Sequence, residues 1–424
     1  MMQIIKTALL LVLISPVVLA QEIRPLDSIL ATIRSKNPLL QGYDYQMEAI
    51  QAYAEGAKGW SAPMVGVGTF MTPYPGQAVM NDGDKGMLML VGEQAIPNPA
   101  KLRAREDYLT SRAAIEDAGQ RGAYNQLRAQ AKSLYYEWLV LEKQKKVLEE
   151  DRQIMETMLK LARIRYPYNQ GSLGSIYKAE GRLHEVENML LTTNNNMIQK
   201  NIRLNSLMNI SGETRYRIDT GMQVLTPVLT PLLTTESLLG TVDTTYLLQN
   251  RSDLLRMDRT IESMRLGVEL ERMERKPSFS LRFEHMLPYG GMMPNTYTVM
   301  GMISIPIAPW SSKTYRSNIR GKQMEIRSME KEREAMLNEA QEVVRSIAWD
   351  IRTLGQQLDN YDKKIIPALR RNYESTLLAY EQNQQELAMV IDAWEALNMA
   401  QIAYLDKLKD YYLTIVEYEK QVEK

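Results

Sequence analysis

Residues 99–167 read PAKLRAREDYLTSRAAIEDAGQRGAYNQLRAQAKSLYYEWLVLEKQKKVLEEDRQIMETMLKLARIRYP. Proline stands at each end, as Pro99 and Pro167, and nowhere between. Leu134, Trp138, Leu141, Leu148, Met155, Leu159, Ala162 and Tyr166 step by threes and fours along one side, interrupted by Lys145 and Arg152. That spacing is a coiled-coil seam, and it predicts one helix over 100–166. At a rise of about 1.5 Å per residue such a helix is a rod of about 100 Å. A compact domain cannot contain it.

The same pattern returns further along. Ile347, Ile351, Leu354, Leu358, Tyr361, Ile365 and Ala368 form a second seam within 311–381, which carries one internal proline, Pro367. Val390, Trp394, Leu397, Tyr404, Leu408, Tyr411, Ile415, Tyr418 and Val422 form a third, with Gln401 its polar member. Other marks recur in order. Asn37-Pro38-Leu39-Leu40 is echoed by Ser252-Asp253-Leu254-Leu255, Pro63 by Pro277, and Ile96-Pro97 by Ile305-Pro306. Tyr136-Glu137-Trp138 is echoed by Trp349-Asp350-Ile351, and Leu173, Ile176 and Ala179 by Leu387, Val390 and Ala393. The offsets are 215, 214, 209, 213 and 214, which argues for a duplicated unit with a period too long for a solenoid.

The expected organisation is a first repeat over 21–210, an inter-repeat segment over 211–245 and a second repeat over 246–424. The first repeat holds a helix, a hairpin at 64–95, the long helix 100–166 and a helix at 173–210. The second holds a helix, a hairpin at 278–307, the long helix 311–381 and a helix at 387–424. Helices over 28–60 and 173–209, set end to end, match the long helix in length, and 243–276 with 387–424 do the same in the second copy. The segment 211–245, with 9 Thr, reads as irregular structure or a linker.

The hairpins carry a second kind of pattern. Ser278-Phe279-Ser280-Leu281-Arg282-Phe283-Glu284 alternates polar and apolar residues. Tyr297, Val299, Ile303 and Ile305 share one face of its partner. Strands with one apolar face suit a membrane barrel, although a soluble hairpin alternates in the same way. Four strands cannot close a barrel, so closure needs several copies of the chain. The fold class expected is mainly α with a small β part. Long duplicated coiled-coil helices would form an α-barrel, and four strands per chain would contribute to a trimeric 12-stranded β-barrel.

Composition removes other classes. Lys+Arg and Asp+Glu balance at 51 each, so the basic excess of a nucleic-acid binder is missing. With no Cys and only His184 and His285, there is no thiol catalysis, Cys-ligated zinc or disulfide. His184-Glu185 has no second His at zincin spacing, and Gly66-Val67-Gly68 is a lone Gly-x-Gly that fits a strand. No enzyme and no cofactor is expected. Lys6, the apolar run 7–14, the break at Ser15-Pro16 and Val18-Leu19-Ala20 form a cleavable export signal over 1–20, and the absence of Cys argues against lipidation. Later stretches are too short or too interrupted to span a bilayer as a helix. Ten of the 27 Met lie in or between the hairpin strands: Met64, Met71, Met80, Met87 and Met89, then Met286, Met292, Met293, Met300 and Met302. Thioethers are soft ligands suited to Cu(I) or Ag(I), but methionine is also a general apolar filler; the filler reading is preferred, with selective metal capture left to partner proteins.

Taken together, the signal, the duplicated helix–hairpin–long-helix unit and the helix breaks resemble the TolC-type outer-membrane efflux channel family, the outer membrane factors. The most specific marks are the breaks. One is Tyr168-Asn169-Gln170-Gly171-Ser172-Leu173 followed by Ile176-Tyr177-Lys178-Ala179. The other is Tyr380-Glu381-Gln382-Asn383-Gln384-Gln385-Glu386-Leu387 followed by Met389-Val390-Ile391-Asp392-Ala393. The sequence departs from the family with Asn383 in place of Gly and Met389 in place of an acidic residue; Asn still suits a left-handed turn. The resemblance implies a homotrimer in outer-membrane lipid with a periplasmic helical tunnel. It also implies a periplasmic adaptor (membrane fusion) protein and an inner-membrane efflux transporter, or a type I secretion pump, as partners. Gln170, Gly171, Ser172 and Leu173, with Asn383, Gln384, Gln385, Glu386 and Leu387, are then the adaptor-docking tips. Asp392, Met389, Tyr380 and Pro367 are then the aperture residues. The alternative is a soluble periplasmic coiled-coil scaffold, which has no use for alternating strands.

Overall fold

The computed structural model describes residues 23–221, 244–291 and 293–424. The export signal expected at 1–20, most of the segment 211–245, and Met292 lie outside them. The described chain runs β1 (Ile23–Arg24), α1 (Leu26–Lys36), α2 (Pro38–Gly56), β2 (Met64–Phe70), β3 (Met87–Ile96), α3 (Pro99–Arg165), α4 (Leu173–Leu207) and β4 (Arg217–Ile218). It continues with α5 (Thr244–Asn250), α6 (Ser252–Met273), β5 (Phe279–Pro288), β6 (Thr296–Ile303), α7 (Pro309–Asn360), α8 (Ile366–Glu381) and α9 (Leu387–Val422).

Three differences from the sequence reading have local causes. The helix expected over 28–60 is broken at Asn37, whose extended backbone (φ −69°, ψ 124°) precedes Pro38. Proline disfavours helical geometry in the residue before it and is well placed at a first helical turn. The Asn37 side chain accepts the Leu39 N–H at 3.0 Å and so caps α2. The second copy breaks at the corresponding place, with Arg251 extended before α6. The rod expected over 311–381 is also not uniform, because Tyr361–Ile365 form a π-helical turn directly ahead of Pro367. Proline removes one helical hydrogen bond and crowds the preceding turn, and the wider π turn accommodates that within a continuing helix.

The chain forms two compact units. Among the described residues, one comprises 23–35, 130–221 and 354–413, and the other comprises 36–129, 244–353 and 414–424. Each unit draws on both sequence repeats. In the first, Leu148, Met155 and Leu159 of α3 pack with Leu183 of α4 and with Val390 and Trp394 of α9. Leu148 and Met155 are fully buried, as the α3 seam requires. A second cluster joins Trp138 to Tyr216 (5.7 Å between rings), with the Arg24 guanidinium 5.2 Å over Tyr216.

In the second unit, Leu247, Ala340, Val344 and Val422 form one core, and Ile261, Val268 and Ile326 another. The Ser252 backbone N–H and hydroxyl donate to the Glu423 carboxylate at 2.8 and 2.6 Å, which caps the start of α6 from a distant segment. This unit also carries an antiparallel four-stranded sheet in the order β2-β3-β5-β6. Gly86, at φ 86°, opens β3 where a Cβ would lie 2.6 Å from Thr72 Cα, so only glycine fits there.

The register assigns every strand side chain to one of two faces, since directly paired residues share a face. One face carries Val65, Val67, Leu90, Phe279, Leu281, Phe283, Tyr297, Val299 and Ile303, all more than two-fifths exposed. The other carries all three strand charges, Glu93, Arg282 and Glu284, with Arg282 bonded to Glu284 at 2.8 Å.

Candidate functional site

The two helix breaks are built alike. After α3 the chain makes a short 3-10 turn, Tyr166–Tyr168, and reaches Asn169 in the left-handed region (φ 59°). The Asn169 N–H donates to the Tyr166 carbonyl at 3.1 Å and the Gln170 N–H to the Arg165 carbonyl at 3.3 Å. After α8, Asn383 (φ 60°) donates to the Tyr380 carbonyl at 3.0 Å and Gln384 to the Ala379 carbonyl at 2.8 Å. Both are Schellman closures with asparagine as the left-handed residue. The turn residue of the first break is therefore Asn169 rather than Gly171, whose φ is not positive. Ser172 then caps α4 by accepting the Ser175 N–H at 3.2 Å.

Arg165 joins the two breaks. Its guanidinium donates to the Tyr380 carbonyl at 2.7 Å and to the Glu381 carbonyl at 3.0 Å, and lies 4.4 Å from the centre of the Tyr380 ring. These carbonyls sit at the C-terminal end of α8, where intrahelical donors run out and a cation is favoured. A cleft of about 540 Å³ lies between the breaks, lined by Arg165, Asn169 to Ser172, Tyr380 and Asn383 to Leu387. Among the expected docking residues, Gln170, Gly171, Ser172, Leu173, Asn383, Gln384, Gln385 and Glu386 are exposed, whereas Leu387 is buried.

Of the expected aperture residues, Tyr380 is buried under Arg165, and Met389 is exposed in the first turn of α9. Asp392 is exposed and paired with Lys178 of α4 at 2.5 Å. Pro367 lies at the start of α8, away from the cleft residues. One turn further on, Arg182 bridges Glu185 at 2.5 Å and also Glu395. The Glu185 hydrogen bond, followed by the attraction of Glu395, raises the Arg182 pKa from its ordinary value. His184 is exposed and pairs with Glu187 of its own helix at 2.9 Å.

Sequence reasoning did not anticipate Asp151. This α3 carboxylate is 3% exposed and accepts the Trp394 indole N–H at 2.8 Å and an Asn398 amide N–H. Burial raises its pKa above the ordinary carboxylate value, partly offset by those two donors. Arg165, and a pairing role for Lys178 within its quoted motif, are likewise not legible in sequence, since an arginine near a helix end and a lysine on an exposed face are ordinary. Among the described residues no group of His, Cys, Asp and Glu is placed to hold a metal, and no helix is long and apolar enough to cross a membrane.

No family model matches the sequence, and no curated protein matches it. Solved structures do. CusC, described by its conformational changes on folding and transmembrane channel formation, aligns with a TM-score of 0.73 at 12% identity over 94% of this chain and 91% of its own. The outer membrane protein VceC of Vibrio cholerae aligns with a TM-score of 0.70 at 13% identity over 94% and 95%. The Campylobacter jejuni CmeC outer membrane channel aligns with a TM-score of 0.69 at 15% identity over 94% and 85%. The resemblance read from the helix breaks thus holds at the level of fold, over nearly the whole chain: the protein has the fold of TolC-type outer-membrane channels.

Proposed function

We propose that the protein is the outer-membrane channel of a tripartite efflux or type I secretion system, a passive exit duct that does no covalent chemistry. The observation that carries this reading is the four-stranded sheet. One face is mainly apolar and exposed, with Thr69, Gln94 and His285 its polar members, the other holds all the strand charge, and the edge strands β2 and β6 are paired on one side only among the described residues. An open apolar sheet in water invites aggregation; in lipid it needs edge partners and a closed barrel. Three copies supply twelve strands, with the apolar face toward lipid and the charged face toward the lumen. The helices then form the periplasmic tunnel, and the paired breaks meet a periplasmic adaptor that connects the channel to an inner-membrane pump. The export signal delivers the chain, which is not lipidated.

The test is fractionation. The mature chain is expected to begin at Gln21, partition with outer membranes and run as a trimer in mild detergent. Recovery as a soluble monomer after osmotic shock overturns the reading.

Asp392 extends it to the aperture, with Met389 and Tyr380 at the same end of the helices and Pro367 setting the course of α8 from its far end. Three Asp392 carboxylates around one axis would favour cations and repel anions. The Lys178 partner offsets that charge within each chain. Asp392→Asn is therefore expected to lower cation selectivity in planar bilayers, and Lys178→Ala to raise it. If neither variant changes selectivity while the trimer is intact, Asp392 does not line the aperture.

A further inference from the structure

The strand methionines obey the register. Met64, Met87, Met89, Met286, Met300 and Met302 all fall on the face that carries Glu93, Arg282 and Glu284. None of the six falls on the face of Val65, Val67, Leu90, Phe279, Leu281 and Phe283. Most other large apolar strand residues stand on the opposite face; Phe70 and Val91 share the methionine face. On the charged face an apolar side chain has no lipid to meet. What distinguishes methionine from leucine there is its sulfur.

The densest part of this face is at the loop end of β3. Met89 stands directly opposite Met286, and Met87 is the next residue of β3 on that side. Opposed residues of an antiparallel pair have Cβ atoms roughly 4.5–5.5 Å apart, so two flexible thioethers there can reach one ion. On the neighbouring strand β2, Met87 pairs with Phe70, whereas the strand is bare beside Met89. Gly68 pairs with Met89, and a Cβ built on it would meet only the Met89 methyl, at 3.9 Å; one built on Gly66 would meet nothing. Glu284, one row away on the same face, supplies negative charge, largely committed to Arg282 at 2.8 Å.

We propose that Met87, Met89 and Met286 form a thioether site for a soft monovalent cation of the Cu(I) class. Thioether sulfur selects such ions over hard divalent cations, which prefer oxygen. The site needs no Cys or His. It binds the ion without changing its oxidation state, and no bond of the chain is made or broken. The binding claim rests on strand register. Its role as a way-station in the lumen rests on the channel reading, which gives the charged face to the aqueous pathway.

Ag(I), a stable ion of the same class, is the probe. The full mature protein in detergent is titrated with Ag(I) and with Zn(II), and bound metal is counted after dialysis. Wild type is expected to retain Ag(I) and not Zn(II). The triple variant Met87→Leu, Met89→Leu and Met286→Leu keeps volume and apolarity, and is expected to bind Ag(I) at least about tenfold more weakly. Met399→Leu, at an exposed position on α9, serves as control and is expected to bind like wild type. X-ray absorption at the silver edge is expected to show sulfur neighbours that the triple variant lacks. Equal Ag(I) binding by wild type and the triple variant, or no retention by wild type, overturns the proposal and means that these residues only pack. Bilayer conductance of the same preparations is a separate readout. Conductance without Ag(I) binding leaves the channel and removes the site; binding without conductance does the reverse.

Discussion

Under the proposed channel function, export is expected to fall to the level of a strain lacking the protein when Gly171→Arg and Leu173→Glu are combined, with the yield of the proposed trimer unchanged. Both positions lie at the first helix break and face solvent. A side chain at Gly171 would meet no atom within 4 Å, and its backbone is not in the glycine-favouring region. Leu173 is 43% exposed, and Ser172, not Leu173, caps α4. Surface changes away from caps and cores usually shift stability by only about 0.5 kcal/mol. The fold therefore tolerates the pair, and any loss must come from what the surface touches. Like charges or bulky groups at the contact cost specificity as well as affinity. Leu387 offers no such test, because it is buried and its replacement would disturb the break itself. The measurement is accumulation of the cognate pump's substrate, alongside trimer yield. Normal export by the double variant refutes docking at this break.

Asp151→Ala is expected to destabilise the first unit strongly. It leaves the Trp394 indole and an Asn398 amide as buried donors without their acceptor. Each such orphan costs about 1–3 kcal/mol, so a total of roughly 2–4 kcal/mol is expected after local relaxation. Asp151→Asn separates hydrogen bonding from charge. Its carbonyl accepts the indole N–H, and Asn398 can turn its own carbonyl toward the new amide, so a loss within about 1 kcal/mol is expected. The pH dependence has a definite sign. The folded pKa of Asp151 is raised above its unfolded value, so its contribution to stability is present at acid pH and is lost as pH rises through the folded value. Wild type is therefore expected to gain on Asp151→Asn as pH is lowered from neutral. Thermal unfolding in detergent across that range measures both effects. An Asp151→Ala variant as stable as wild type would mean that the two donors find other acceptors.

What could be read in the chain alone was whatever a short window repeats. The seam of Leu148, Met155 and Leu159 is a local period, and it is buried where that period requires. The alternation of 278–284 is likewise a property of neighbours, and the register preserves it. Asn169 and Asn383 close their helices through bonds that reach back no more than five residues. Glycine is the commoner residue at a left-handed turn, yet at the first break asparagine takes that position and Gly171 does not. Asn37-Pro38 is legible as a repeat mark, but the break it makes in the helical run around it shows only in the extended backbone at Asn37.

Only the tertiary structure could decide which distant groups meet. Asp151 and Trp394 come from opposite halves of the sequence, and nothing near either residue announces the other. Lys178 beside Asp392 changes the charge expected at that carboxylate in the same way. The grouping of the methionines on the charged sheet face follows from strand register, since a shift by one residue would reverse every side chain. The compact units mix the two repeats because burial is settled by whichever helical stripes fit together, not by their order in the chain. Periodicity is a property of the backbone and its nearest neighbours, and a sequence carries it outright. Partnership, and the desolvation that makes a buried carboxylate matter, exist only once the helices have packed.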